Sequence, residues 1–150
     1  MTPAFLVRPA RWAEDAAAIA RVRRAVFITE QGVPEDLEWE AMDPDCLWFV
    51  AAEPATAPTG DLLGVCRLTP RGRVGRMAVL APWRRQGLGS ALLEAALAAA
   101  RARGQSRVEL SAQTRAMGFY ARHGFVARGP EYDDAGIPHR TMILDWKDHP

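Results

Sequence analysis

The chain has 150 residues, 49% apolar and 25% charged, with a formal net charge of +1. That length suits one domain with a proper core, and so even a charge balance argues against nucleic acid or an anionic membrane as partner, since both call for a basic excess. No run approaches the roughly 20 apolar residues of a membrane span and the first residues lack the pattern of a signal peptide, so the expected setting is cytoplasmic.

Phe5 to Arg8 is a short strand closed by Pro9. From Trp12 to Phe27 the pattern is helical, with Ile19, Val22, Val26 and Phe27 at spacings of three and four. Gln31-Gly32-Val33-Pro34 ends that helix. Glu35 to Asp45 is acidic and irregular and reads as a loop with a helical turn. Leu47 to Ala52 and Asp61 to Leu68 form a hairpin about the proline-bearing loop 54–60. Arg73 to Leu80 is the next strand, and Leu88 to Arg103 a helix with Leu88, Leu92, Leu93, Ala96, Leu97 and Ala100 on one face. Gly104 is its stop.

Arg107 to Ser111 alternates as a strand, and Thr114 can cap a short helix from Arg115 to His123. Phe125 to Arg128 and Arg140 to Trp146 are the last strands, about a loop at Pro130 to His139. The order predicts a single α+β domain over residues 1–150. Its centre is a mixed, mostly antiparallel sheet of six to seven strands flanked by helices.

The segment Arg84-Arg85-Gln86-Gly87-Leu88-Gly89-Ser90 joins a strand to a helix. A glycine turn there leaves main-chain N–H groups at a helix start with no intrahelical acceptor. With the positive end of the helix dipole and two arginines, it suits a phosphorylated ligand. Cys46 and Cys66 read as small buried thiols in strands, with no disulfide framework and no metal motif beside them.

Arg84-x-x-Gly87-x-Gly89, the preceding Met77-Ala78-Val79-Leu80 and the later Phe119-Tyr120-x-x-x-Gly124-Phe125 together resemble the GNAT superfamily of N-acetyltransferases. Val26-Phe27, Glu30 to Pro34 and Asp134 to His139 further resemble its ElaA-like branch. The resemblance implies acetyl-CoA as donor, a small-molecule or peptide amine as acceptor, and no metal. Many relatives form dimers, so a homodimer is an open expectation.

By this resemblance, main-chain N–H groups of Arg84, Arg85, Gln86, Gly87, Leu88, Gly89 and Ser90 would wrap the CoA diphosphate, with the Arg84 or Arg85 guanidinium reaching a phosphate. Met77, Ala78 and Val79 would run beside pantetheine on a bulged strand that parts from its parallel neighbour, and the Val79 N–H would polarise the thioester carbonyl. Tyr120 would serve the departing thiolate as acid. Where many relatives keep a glutamate, this strand carries Arg73 and Arg76. The base is therefore open among Glu131, Asp133, His139 and Glu30. An imidazole, ordinarily near pKa 6.5, suits that task at neutral pH.

Glu30, Gln31 and Gln113 are candidates for holding the acceptor. Trp39, beside Glu38, Glu40 and Asp43, could line a pocket for a cationic amine, or the segment could be an exposed acidic loop. His123 is expected to face solvent. Two rival classes are a non-catalytic acyl-CoA sensor of the same fold and a phosphotransferase. No lysine near Gly89 supports the latter.

Overall fold

In the computed structural model, which describes residues 5–54 and 61–148, the alternating and aliphatic runs become seven strands. They are β1 (Leu6–Pro9), β2 (Leu47–Ala52), β3 (Leu62–Leu68), β4 (Arg73–Val79), β5 (Arg107–Gln113), β6 (Val126–Asp134) and β7 (Ile137–Asp145). They form one sheet in the order β1-β2-β3-β4-β5-β7-β6. Every pair is antiparallel except β4–β5. The expected mixed, mostly antiparallel sheet is thus present, with seven strands. Of the expected loop between β2 and β3, residues 55–60 lie outside the described residues.

Helices cover both faces of the sheet centre, so β3 is buried along its whole length. On one face α1 (Trp12–Arg23) sets Ile19 and Val22 against Trp48, Val50 and Val65. On the other, α3 (Leu88–Ala102) buries the predicted face, Leu88, Leu92, Leu93, Ala96, Leu97 and Ala100, against Phe49, Leu63 and Leu110. Two short helices, α2 (Glu35–Glu38) and α4 (Met117–Ala121), lie before β2 and after β5.

Three local expectations need correction. The first helix ends at Gln31 as expected, but it is not regular throughout: after Arg23 it widens into a π-helical segment, Arg24–Glu30, which carries Glu30 and Gln31 toward the sheet centre. The expected loop at Pro130 to His139 is mostly strand. Only Ala135 and Gly136 turn, both at positive φ (54° and 80°), the geometry of a two-residue hairpin. Thr114 makes no cap; it opens a 3-10 turn, Thr114–Ala116, before α4.

Candidate active site

β4 and β5 begin side by side and then separate. They pair only at Arg73–Glu109 and Val74–Leu110. On its other edge β4 pairs Ala78 with Val65 and Gly75 with Arg67, so Arg76 and Met77 together oppose the single residue Cys66. That extra residue is a β-bulge, and Arg76 takes a left-handed φ of 44° to make it. A bulge sharpens twist and ends regular pairing, which turns the rest of β4 away from β5.

The main-chain groups beyond the bulge face two ways. The Leu80 N–H donates to the Leu63 carbonyl at 2.9 Å, which makes Val79–Gly64 a pair without mutual hydrogen bonds. The Val79 N–H therefore points away from β3, into the opening. Ala78, in the neighbouring position, turns its main-chain groups to β3 and its side chain into the core. A cavity of about 160 Å³ occupies the gap, with Val74, Gly75, Met77, Ser111 and Tyr120 in its wall.

Past Val79, a 3-10 turn (Ala81–Trp83) leads to the exposed segment 84–87 and then α3. Gly87 is the N-cap, at φ 87°, and no side chain caps the helix. The first intrahelical bond is from the Ala91 N–H to the Gly87 carbonyl, 3.0 Å. The N–H groups of Leu88, Gly89 and Ser90 therefore precede the ladder. A Cβ on Gly87 would meet nothing within 4 Å, so glycine is there for its φ. Arg85 also sits at positive φ, 63°, and is exposed.

Arg84 is engaged elsewhere. Its Nη1 and Nη2 donate to the Glu30 carboxylate at 2.7 Å each, and its Nε donates to the Val79 carbonyl at 2.9 Å. It ties the end of the π-helical segment to the end of β4. The Arg84 hydrogen bonds hold the Glu30 carboxyl below its ordinary range, which makes Glu30 a poor proton acceptor. Arg85 is left as the exposed guanidinium at the turn.

Tyr120, on α4, stands edge-on to Phe119 and Phe125, at 5.1 and 6.0 Å between ring centroids. Burial, with a smaller push from Cys66, raises its phenol well above the ordinary value. The hydroxyl therefore keeps its proton throughout the neutral range and is a lasting hydrogen-bond donor. Cys66 is fully buried, and desolvation pushes its thiol up to about 12. Burial also raises Cys46. Neither thiol is poised as a nucleophile.

His139, on β7, is 9% exposed and stands opposite Gln113 of β5 and Tyr132 of β6. Its Nδ1 lies 2.7 Å from the Ile137 carbonyl. A carbonyl only accepts, so Nδ1 carries the hydrogen and Nε2 of the neutral ring keeps a lone pair. The ring stacks on Tyr132, 6.0 Å between centroids, and Tyr132 shares a hydrogen bond with Ser111. His139 walls a cavity of about 80 Å³ together with Phe27, Gln31, Arg76 and Gln113, and those four also wall the Tyr120 cavity. The two hollows adjoin.

Gln31 and Gln113 come together, with Gln113 Nε2 donating to Gln31 Oε1 at 2.9 Å. With Glu30 and Arg115 they line a third cavity, of about 330 Å³. Glu131 is not brought to this place. It is exposed on the edge strand β6, away from the described residues that wall these cavities. Asp133 accepts the Gly136 N–H at 3.1 Å and serves the hairpin turn.

Within the acidic segment before β2, Glu38, Glu40 and Asp43 form neither an exposed loop face nor a free anionic pocket. Arg23, 1% exposed, donates from Nε to Glu38 and from Nη1 to Asp43, both at 2.8 Å. Arg67 reaches Glu40 at 2.8 Å and Asp43 at 2.9 Å, and Arg76 reaches Glu40 at 2.8 Å. Burial would raise Asp43, but hydrogen bonds from Arg23, the Glu40 N–H and Arg67 hold it low. Burial prevails at Glu38, which is pushed up. Trp39 packs on the Arg23 and Arg24 guanidinium groups, at 4.9 and 5.4 Å. These carboxylates are neutralised from within.

Residues missed by pattern are those the bulge and the π-helical segment create: Arg76, Phe27 and Ser111. Nothing in the sequence marks an arginine for positive φ. The strand motif beside Arg76 was the available signal.

A model of the acetyltransferase (GNAT) domain matches residues 13–146. The uncharacterized N-acetyltransferase YjcF of Bacillus subtilis is 36% identical over 126 residues, covering 83% of this chain and 88% of that protein. Among solved structures, an acyl-CoA N-acyltransferase from Pseudomonas aeruginosa is 31% identical with a TM-score of 0.79, covering 93% and 99% of the two chains. Escherichia coli ElaA shares the fold at a TM-score of 0.82 and 21% identity, covering 94% and 99%.

Proposed function

The chain belongs to the acetyltransferase (GNAT) domain family, and on that footing we propose that it transfers the acetyl group of acetyl-CoA to a primary amine by direct attack within a ternary complex. The observation that carries this reading is the opening of β4 from β5 at the Arg76 bulge, next to an uncapped helix start. An amide-bearing pantetheine arm can extend β4 as a pseudo-strand through Met77 and Val79. Ala78 supports that edge from the β3 side. The N–H groups of Gly87 to Ser90, with Arg85 beside them, suit the diphosphate.

Acetyl-CoA supplies an acyl group already activated as a thioester. The Val79 N–H is aimed where negative charge builds on the carbonyl oxygen during attack. Tyr120 donates a hydrogen bond to the departing sulfur. His139 Nε2 takes the proton that the amine sheds as its nitrogen bonds to the carbonyl carbon and the C–S bond breaks. The Glu30, Gln31 and Gln113 cavity holds the remainder of the acceptor. Holding the two reactants together supplies an effective concentration of up to about 10⁵ M or more. The high pKa of Cys66 supports direct transfer without an acyl-enzyme.

The test is release of free CoA thiol from acetyl-CoA with a panel of primary amines, alongside a titration of CoA binding. Amine-dependent thiol release is the expected result. Binding of CoA with no thiol above background would favour an acyl-CoA sensor instead.

A further inference from the structure

His123 does not face solvent. Its side chain is 14% exposed, and it lies just past α4, packed on the Phe119 ring at 5.1 Å. Its Nε2 is 3.2 Å from the hydroxyl of Ser90, and its Nδ1 is 2.6 Å from a carboxylate oxygen of Glu94, one turn further along α3. A continuous chain Glu94–His123–Ser90 therefore ends at the third residue of α3, among the N–H groups assigned above to the diphosphate. The mechanism makes no use of it.

We propose that Glu94 and His123 are positioning residues that set the direction of the Ser90 hydroxyl hydrogen, and with it how firmly the start of α3 holds the phosphates of CoA. This rests on the reading that segment 84–90 grips those phosphates. A carboxylate only accepts, so Glu94 keeps a hydrogen on Nδ1. In the neutral ring Nε2 then accepts the Ser90 O–H, and the serine oxygen turns only lone pairs toward an anion. In the protonated ring Nε2–H donates to the serine oxygen. The Ser90 O–H is then released to donate to a phosphate oxygen, and a positive charge is added nearby.

Among the described residues that face this imidazole, Glu94 is the carboxylate in contact. Arg101 of α3 and Arg122 are the cations lining the adjoining hollow of about 650 Å³, while Leu144 and Trp146 on its far wall are neutral. Arg101 lies over the Trp146 ring at 5.7 Å. The sign follows: CoA binds more tightly to the form with a protonated ring than to the form with a neutral ring.

The experiment is calorimetric titration of CoA from pH 5.5 to 8.5 at constant ionic strength, with wild type, His123→Asn, Ser90→Ala and Glu94→Gln. The CoA phosphate itself titrates near pH 6, equally for all four proteins, so the difference between profiles is the readout. The wild-type Kd should rise about three- to tenfold more across this range than that of His123→Asn or Ser90→Ala. Glu94→Gln, which no longer obliges Nδ1 to carry the hydrogen, should bring the wild-type profile closer to that of His123→Asn. Nitrogen-15 NMR of the imidazole should show hydrogen on Nδ1 at high pH. Parallel wild-type and variant profiles would overturn the positioning role while leaving the phosphate grip intact. Failure of wild type to bind CoA at any pH would overturn both. If His123→Asn does not fold, Ser90→Ala decides alone.

Discussion

In the mechanism proposed above, environment divides the proton work between Tyr120 and His139. Burial holds the Tyr120 phenol protonated across the neutral range, which suits it to the proposed hydrogen bond to the leaving sulfur. Tyr120→Phe should lower turnover by about 10- to 100-fold while leaving the CoA Kd within about twofold. Steady-state kinetics set beside a binding titration would check both. Because the phenol is raised, turnover should not fall on the basic side within the ordinary tyrosine range, near 10. A basic limb below that range, lost in Tyr120→Phe, would show that the phenol is not raised, and unchanged turnover in that variant would refute its role. His139, fixed by the Ile137 carbonyl with Nε2 free, is the proposed acceptor of the amine's proton, and His139→Gln should lower turnover about 10- to 100-fold while leaving the CoA Kd within about twofold. Glu30 is excluded from this duty by its bond to Arg84, a partner 54 residues away.

At the scale of elements, the site is made where two regular structures are interrupted. β4 is interrupted at Arg76, and the ladder it abandons is offered to a ligand. The long first helix is interrupted by its π-helical segment, which delivers Glu30 and Gln31 to the ends of the central strands β4 and β5. The glycine turn needs the left-handed φ of Gly87, and Gly87→Val should weaken CoA binding at least about tenfold and cost about 1–2 kcal/mol of stability. Titration and denaturant unfolding report the two effects separately. The turn and the buried face of α3 were legible because glycine spacing and a 3.6-residue period are local signals. The π-helical widening was not, since Val26 and Phe27 fit an ordinary helix equally well. Nor was the β6–β7 hairpin, because alanine at position 135 is not the residue a positive φ usually selects.

Across the whole molecule, helix packing and buried ion pairs converge on the central strands β3 and β4. A Cβ on Gly64 would stand 3.0 Å from Leu92 Cδ1 and 3.1 Å from the Ala78 carbonyl. Gly64→Ala should therefore destabilise by about 1–3 kcal/mol in urea unfolding. Arg23→Met removes one of two arginine partners from each of the buried carboxylates Glu38 and Asp43, leaving Arg76 and Arg67, and should cost about 1–3 kcal/mol by the same measurement. The chain alone settled the order of strands and helices, the core face of α3 and the place of the glycine turn before it, since each depends on neighbours a few residues apart. Tertiary structure decided which charged groups are available for chemistry. Arg84 is taken by Glu30, the acidic segment by three arginines, and His123 by Ser90 across 33 residues. Partners so distant meet only in the folded state, and the desolvation that shifts their ionisation exists nowhere before it.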